Sequence, residues 1–211
     1  MVTITQIITG KWKENCYIVR NDKSSALIID PGDEPEKIID HLTQNKLKPA
    51  AILNTHAHYD HIGAVQPLKE NYIIPFFIHS LERSNLRNVN IYRQMIDKLE
   101  AIIIPQVDVY LDEQINPLTI GKFEVNVIFT PGHSAGSICF IIDNNLFCGD
   151  LFYKDRIGRT DFPGANSSLL KNSLAHISKL PHNIMVYPGH GEMTTLEDVL
   201  KNNKEFKKAL E

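Results

Sequence analysis

The seven-residue stretch Thr55–His61 constrains this chain most, because four of its side chains are of types that bind metal ions. Three are imidazoles, those of His56, His58 and His61, and the fourth is the carboxylate of Asp60. A short apolar run precedes the stretch, and the residues after it are able to open a helix, so we expect a loop between a strand and a helix. Rigid elements on both sides hold such a loop in place.

The spacing within this stretch favours two ions over one. His56 and His58 are two residues apart and face the same way in an extended segment, whereas the adjacent Asp60 and His61 point in different directions. Imidazole nitrogen and carboxylate oxygen suit zinc, iron or manganese. The alternative is a solvated polar loop, but nine histidines in 211 residues make so dense a cluster hard to explain by chance.

Composition limits the classes of function. Hydrophobic residues make up 43% and charged residues 22% of the chain, which is typical of a globular protein with a real core. We expect a single domain over residues 1–211. The net charge of −3 gives no general attraction to nucleic acid or to an anionic membrane. Three cysteines without a CxxC pair, no apolar run of membrane-spanning length and no signal peptide predict free thiols and a cytoplasmic location.

The periodicity predicts two similar halves, each with strands followed by helices. Residues 80–99 have the pattern of one long helix, and residues 195–210 that of a closing helix. The turn residues 21–24 separate two of the first strands. Strands are predicted at 2–8, 16–19, 26–29, 75–78, 123–129, 138–142, 146–148 and 184–187, and further helices at 33–45, 63–71 and 167–180.

Three later loops place a histidine or an aspartate directly after a strand. His133 and His190 each follow a Pro-Gly pair, and Asp150 follows a glycine. Glycine lets the backbone turn tightly and approach a ligand closely. One such turn would be an ordinary surface turn, but three of them beside the first motif indicate one site. Seven ligands suffice for two ions that share a carboxylate: His56, His58, Asp60, His61, His133, Asp150 and His190.

These motifs, THAHYDH, TPGH, GD and PGH in this order, resemble the metallo-β-lactamase superfamily of hydrolases. The resemblance implies an α/β fold, a four-layer αββα sandwich with the metal site along one edge. It also implies a division of the ligands between two metals. One metal would be held by His56, His58 and His133, the other by Asp60, His61 and His190, and Asp150 would bridge them.

Three further segments, ENCY at 14–17, IIDPG at 28–32 and GRTDFP at 158–163, resemble short bacterial glyoxalase II proteins. Members of that group hydrolyse S-lactoylglutathione and related hydroxyacylglutathione thioesters, so a small-molecule thioester is the implied partner. Longer members add a helical domain that helps to hold glutathione. About twenty residues follow His190, and we expect that domain to be missing.

The predicted residues suit attack by a metal-bridging hydroxide on a thioester carbonyl. Two divalent ions, zinc first and iron or manganese as alternatives, lower the pKa of water to about 7. Thiolate leaves readily, so no strong general acid is needed. Asp60 is a ligand and the candidate acceptor of a hydrogen bond from the attacking hydroxide. Asp30 is a candidate for orienting a ligand histidine, or else a turn residue before proline.

Residues after Asp150 are candidates for substrate contacts. Phe152, Tyr153, Arg156 and Arg159 would form a wall with cationic groups for a glutathione carboxylate, or else a salt-bridged loop. Tyr59, inside the first motif, is expected to serve packing.

Competing functions remain open at this point. A persulfide dioxygenase with one iron retains the same residues and is the main alternative to a thioester hydrolase. A nuclease lacks support from a basic face, and a purely structural metal site would close its coordination.

Overall fold

A computed structural model describes residues 1–21, 24–112 and 117–211. Two residues of the predicted turn at 21–24, numbers 22 and 23, lie outside the described residues. The chain forms two compact units, one built mainly from residues 1–112 and the other mainly from residues 124–211.

In its described residues, the first unit is a six-stranded sheet with three α-helices. Its strands lie in sequence order, antiparallel from β1 to β3 and parallel from β3 to β6. Parallel neighbours need a crossover connection, and helices supply it between β3, β4 and β5. The strands are β1 (Thr3–Thr9), β2 (Glu14–Arg20), β3 (Ser25–Ile29), β4 (Lys48–Leu53), β5 (Phe76–His79) and β6 (Val109–Leu111), and the helices are α1 (Pro35–Gln44), α2 (Val65–Tyr72) and α3 (Arg83–Tyr92).

The apolar pattern explains this arrangement. Strand β3 is almost entirely buried, as expected of a strand covered on both faces. Proline at the start of α1 has no N–H to leave unsatisfied there, and Ile38 and Leu42 turn the same face of that helix into the core. The loop after β4 is thereby fixed between a buried strand and α2.

The second sheet also has six strands, in the order β12-β11-β10-β9-β8-β7, and the described residues of the second unit form three α-helices. Strands β8, β9 and β10 are antiparallel in turn and β11 is parallel to β10, so β8, β10 and β11 end at the same edge. The strands are β7 (Leu118–Ile120), β8 (Phe123–Phe129), β9 (Ile138–Ile142), β10 (Asn145–Gly149), β11 (Met185–Pro188) and β12 (Thr194–Thr195), and the helices are α4 (Ser167–Ile177), α5 (Leu196–Asn202) and α6 (Lys204–Ala209).

The prediction of one regular helix over residues 80–99 is wrong. A 3₁₀ turn at Ser80–Glu82 precedes α3, and a π-helical turn at Arg93–Asp97 follows it. The His79 side chain accepts a hydrogen bond from Leu81 N at 3.2 Å, which caps the first turn. The Arg93 side chain is buried and its Nε donates to Glu100 O at 3.1 Å, drawing the chain away from the helix axis.

The predicted closing helix is divided at Asn203, whose backbone is extended. Its side chain is fully buried, accepts from Phe206 N at 2.9 Å and donates to the carbonyls of Tyr153 and Arg156 at 3.0 Å. Asparagine favours such local bonds over a helix interior. Within the described residues, no helix is long and apolar enough to cross a bilayer. The expected mixed α/β class is confirmed.

Candidate metal centre

The histidine-rich stretch lies between β4 and α2, as predicted. His56 and His61 are buried, at 1% and 0% exposure, whereas His58 and Asp60 are partly exposed. The rings of His56 and His58 have centroids 4.7 Å apart, and those of His56 and His61 are 4.2 Å apart. The first unit therefore gathers all three imidazoles of the stretch.

Two buried side chains that the sequence analysis missed fix this loop. Glu82 accepts a hydrogen bond from Ala57 N at 2.8 Å, between the two histidines of the HAH segment. Asn54 donates through its Nδ2 to His61 O at 2.7 Å. A glutamate in a polar helical segment normally suggests a solvated face, so the sequence carries no signal for the role of Glu82.

The IIDPG turn packs directly against the same loop. A Cβ on Gly32 would lie 1.9 Å from Asp60 O, and a Cβ on Gly63 would lie 2.3 Å from Gly32 O. No side chain fits in either gap, so glycine is required for the two loops to touch.

Asp30 lies against the ligand histidines. Its Oδ1 accepts from Thr55 N at 2.7 Å, and its Oδ2 accepts from the Thr55 hydroxyl at 2.6 Å and lies 3.3 Å from His61 Nδ1. Because that hydroxyl has one proton and gives it to Asp30, it accepts from His56 Nδ1 at 3.0 Å. The proton of a neutral His56 is then on Nδ1, which leaves the lone pair on Nε2, the form in which a histidine can bind a metal ion.

Glu14, from the ENCY segment, adds a second buried carboxyl group. Its Oε2 accepts from the Thr9 hydroxyl at 2.8 Å, and its Oε1 lies 3.9 Å from His61 Nδ1. Burial raises the pKa of Glu14 well above its usual value, His61 opposes the rise, and Asp30 adds to it. His61 thus lies beside two acidic side chains in the first unit.

In the second unit, the three predicted ligands meet at one edge of the sheet. His133 follows β8, Asp150 follows β10 and His190 follows β11. Asp150 Oδ2 lies 3.6 Å from His133 Nε2 and 3.7 Å from His190 Nε2. The three loops therefore converge within this unit.

These separations fit ligands around metal ions. They exceed the usual hydrogen-bond length of about 3.2 Å. Ligand atoms about 2.1 Å from zinc at tetrahedral angles are spaced by about 3.4 Å, close to the values at Asp150. The His133 Nδ1–H donates to Arg159 O at 2.8 Å, which leaves Nε2 facing Asp150 as a ligand atom.

The GRTDF segment supports this edge through its backbone. A Cβ on Gly158 would lie 2.0 Å from Asp150 O, so this close approach requires glycine. Arg159 pairs with Asp161 through two bonds of 2.9 and 2.7 Å and stacks over Phe162 at 4.6 Å. The Arg159 guanidinium lowers the pKa of Asp161.

Only some of the residues predicted to contact the substrate are placed where they could do so. Phe152 is fully buried, with its ring 5.1 Å from that of Phe206, so it lies in the core and not in a wall. The Tyr153 ring lies 6.3 Å from His190, and Arg156 stacks over Tyr153 at 4.2 Å. Both arginines of this region form ion pairs, Arg156 with Asp155 and Arg159 with Asp161. The alternative interpretation of this segment, a salt-bridged loop, predicts these pairs.

A cavity of about 930 Å³ opens beside His190 in the second unit. Tyr153 and Arg156 line one part of it, and Lys154, Glu192 and Lys204 add charge of both signs. Lys154 and Glu192 form an ion pair at 2.6 Å. This lining suits a polar, charged molecule more than an apolar one.

Comparisons with known proteins bear on this arrangement. The family model described as the metallo-beta-lactamase superfamily matches residues 9–190. The hydroxyacylglutathione hydrolase GloC of Haemophilus influenzae is 30% identical over 200 residues, covering 91% of this chain and 92% of that protein. The crystal structure of BLEG-1, a B3 metallo-beta-lactamase, has a TM-score of 0.91 at 36% identity and covers 96% of this chain and 98% of that chain.

A second solved structure, TTHA1623 in a di-iron-bound form, has a TM-score of 0.85 at 35% identity and covers 95% of this chain and 98% of that chain. The family match, over residues 9–190, includes every predicted ligand position from His56 to His190. The predicted metallo-β-lactamase type of fold is therefore confirmed, and this chain belongs to the metallo-β-lactamase superfamily.

Proposed function

We propose that this protein is a dinuclear-metal hydrolase of thioesters, with S-lactoylglutathione or a related hydroxyacylglutathione as its substrate class. The observation that carries the proposal is the position of the Asp150 carboxylate, with its Oδ2 3.6 and 3.7 Å from two imidazole nitrogens. One carboxylate between two histidines suits an oxygen ligand shared by two ions. The resemblance to GloC, a hydroxyacylglutathione hydrolase, supports the choice of substrate.

The ligand sets are proposed to meet as the family resemblance implies. His56, His58 and His133 would hold one ion, and Asp60, His61 and His190 would hold the other. Asp150 would be shared by both. Zinc is the first choice of metal, and the di-iron form of TTHA1623 makes iron the next. When bound, two such ions supply a nucleophilic hydroxide near neutral pH and polarise a carbonyl oxygen.

The chain's own residues would orient this chemistry. Asp60 is partly exposed beside the buried His61, which suits a carboxylate that accepts a hydrogen bond from the attacking oxygen. Asp30 and Thr55 hold the His56 ring through its Nδ1, and the Arg159 carbonyl does the same for His133. Ligands fixed in this way need little reorganisation during the reaction.

The thiol carrier is proposed to bind at the cavity beside His190. Tyr153 gives the cavity an aromatic face, and Arg156 and Lys154 would have to exchange their acidic partners, Asp155 and Glu192, for a carboxylate of the carrier. Arg159 is proposed to contribute by exchanging Asp161 for a substrate carboxylate. The three buried free cysteines fit a reducing compartment, and we propose a cytoplasmic location on that ground.

The direct test is thiol release from S-lactoylglutathione by protein loaded with zinc, and separately with iron. We expect turnover well above that of the His58→Ala variant, which lacks one ligand on the partly exposed side of the site. Turnover equal to that of His58→Ala with every thioester in a panel would contradict the proposal.

A second candidate is β-lactam hydrolysis, because BLEG-1 is a B3 metallo-beta-lactamase at 36% identity. A chromogenic cephalosporin assayed under the same conditions separates it from thioester hydrolysis. Oxygen uptake with a glutathione persulfide separates the persulfide dioxygenase, the alternative from the sequence. If cephalosporin hydrolysis or oxygen uptake with the persulfide were faster than thioester hydrolysis, that activity would replace the proposed function.

A further inference from the structure

Four of the charged side chains that line the cavity beside His190 are already paired with each other. Lys154 Nζ lies 2.6 Å from Glu192 Oε2, and Arg156 Nη1 lies 3.2 Å from Asp155 Oδ1. Each pair is neutral as a whole, so these four residues give the cavity no net charge. The charge that the cavity offers to a ligand therefore depends on the other charged side chains of its lining.

One lysine and two carboxylates remain in the lining, those of Lys204, Asp198 and Glu205. Within the part of the chain that the structure describes, none of the three forms an ion pair. Asp198 accepts hydrogen bonds from two neutral donors, the Thr194 hydroxyl at 3.0 Å and Asn202 Nδ2 at 2.7 Å. The remaining charges are thus of both signs, with one more negative than positive. Such a lining repels a polyanion and suits a ligand that has both an ammonium group and a carboxylate.

The backbone around Lys204 and Glu205 is held against the cavity. The buried Asn203 side chain donates to two backbone carbonyls of residues 153–156, both at 3.0 Å. Glu205 Oε2 accepts from Ile157 N at 3.0 Å, and no donor among the described residues reaches its Oε1. The Glu205 carboxylate is therefore fixed through one oxygen while the other is available, and the adjacent Lys204 side chain is exposed.

We propose that Lys204 and Glu205 are specificity-determining residues that bind the α-amino-acid end of the thiol carrier, Lys204 its carboxylate and Glu205 its ammonium group. This rests on the proposed thioester hydrolysis and names the part of the carrier that the cavity distinguishes. The two charged groups of an α-amino acid are attached to one carbon atom, so two adjacent side chains of opposite charge can bind both. A cavity of about 930 Å³ has room for a tripeptide. The carrier class is a thiol peptide with a free amino-acid group, such as glutathione, and not a polyphosphate thiol such as coenzyme A.

The test measures the affinity of zinc-loaded protein for three thioethers by calorimetry, because thioethers carry no thioester bond to hydrolyse. S-methylglutathione has the free ammonium group, and its N-acetyl derivative lacks it. An exposed ion pair contributes up to about fivefold in affinity, so S-methylglutathione should bind about threefold to fivefold more tightly than the N-acetyl form. S-methyl-coenzyme A should bind at least about tenfold more weakly than S-methylglutathione, because its phosphates meet the excess of carboxylates. Equal affinities for the three probes would overturn the proposal.

Glu205→Gln tests the ammonium contact, because it removes the charge and keeps an oxygen that accepts from Ile157 N. This variant should bind S-methylglutathione about threefold to fivefold more weakly and the N-acetyl derivative as wild type does, so that the preference disappears. Acetylation adds the same bulk to the probe in both proteins. A preference that survived in Glu205→Gln would therefore be a steric effect, and it would overturn the role of Glu205.

Lys204→Met tests the carboxylate contact and should weaken binding of both glutathione probes about threefold to fivefold. Lys204→Arg keeps the positive charge and should bind them as wild type does. The matched control is Lys208→Met, which removes an exposed lysine of the same helix that lies outside the cavity lining, and it should leave both affinities unchanged. If Lys204→Met bound the probes as this control does, the role of Lys204 would be wrong.

Binding and turnover report on the two proposals separately. Probe binding that depends on Lys204 and Glu205, in a protein that releases no thiol from S-lactoylglutathione, would refute the thioester hydrolysis alone. Thiol release with a KM that neither substitution changes would refute the assignment of these two side chains alone.

Discussion

Glu82→Ala should weaken both the fold and the metal site, because it removes the acceptor for the backbone N–H of Ala57. Glu82 is fully buried, and its Oε2 accepts from Ala57 N at 2.8 Å and from Asn85 Nδ2 at 2.9 Å. A buried N–H left without an acceptor costs about 1–3 kcal/mol, and bonds to a charged group are stronger than average. Asn85 is only partly buried and recovers its bond from water.

Together these effects predict a loss of about 2–4 kcal/mol in the free energy of unfolding. For a chain of this length that lowers the melting temperature by roughly 5–15 °C. Ala57 lies between His56 and His58, so a relaxed backbone there should also weaken zinc binding at least about tenfold.

The assays for Glu82→Ala are denaturant unfolding of the metal-free protein and a competition titration with a zinc chelator. Glu82→Gln keeps an acceptor oxygen and should retain about half of the lost stability. The control is Glu70→Ala, whose exposed carboxylate accepts from Gln66 at 2.9 Å, and it should change stability by less than about 0.5 kcal/mol. If Glu82→Ala matched this control in both assays, the proposal that Glu82 supports the loop at Thr55–His61 would be wrong.

Three further predictions concern the site directly. His58→Ala and Asp150→Ala should lose most thioester turnover while circular dichroism and cooperative unfolding remain, because both side chains lie outside the apolar cores; near-normal turnover of Asp150→Ala would exclude a bridging role. Arg159→Ala should mainly raise KM for a carboxylate-bearing thioester, since such a contact serves ground state and transition state alike; steady-state kinetics with an unchanged KM would favour the salt-bridged loop. Gly158→Ala should lower the melting temperature and the zinc content, because its Cβ would lie 2.0 Å from Asp150 O; calorimetry and elemental analysis equal to wild type would refute that close approach.

The places of the candidate ligands in the fold were predictable because their signals are local. Strand patterns before His133, Asp150 and His190 placed each at the end of a strand, and those strands do end at one edge of the second sheet. The strand-loop-helix context of Thr55–His61 came from the same reasoning.

The role of Glu82 and the contacts of Asp97 were missed because they involve distant partners. Glu82 bonds to Ala57, 25 residues away, and Asp97 bonds to Trp12, 85 residues away. Residues 80–99 have the apolar spacing of one helix, so the pattern gave no sign that the buried Arg93 interrupts it. Phe152 was predicted to contact the substrate, but it packs against Phe206 in the last helix, another partner that is distant in sequence.

Two ions and one shared carboxylate are proposed to make this chain a thioester hydrolase. The measurement that tests it most directly is a titration of metal-free protein with zinc, with thiol release from S-lactoylglutathione followed at each step. Turnover should keep rising until two equivalents per chain are bound and then level off. Full turnover at one equivalent, or no thiol release at any metal content, would contradict it.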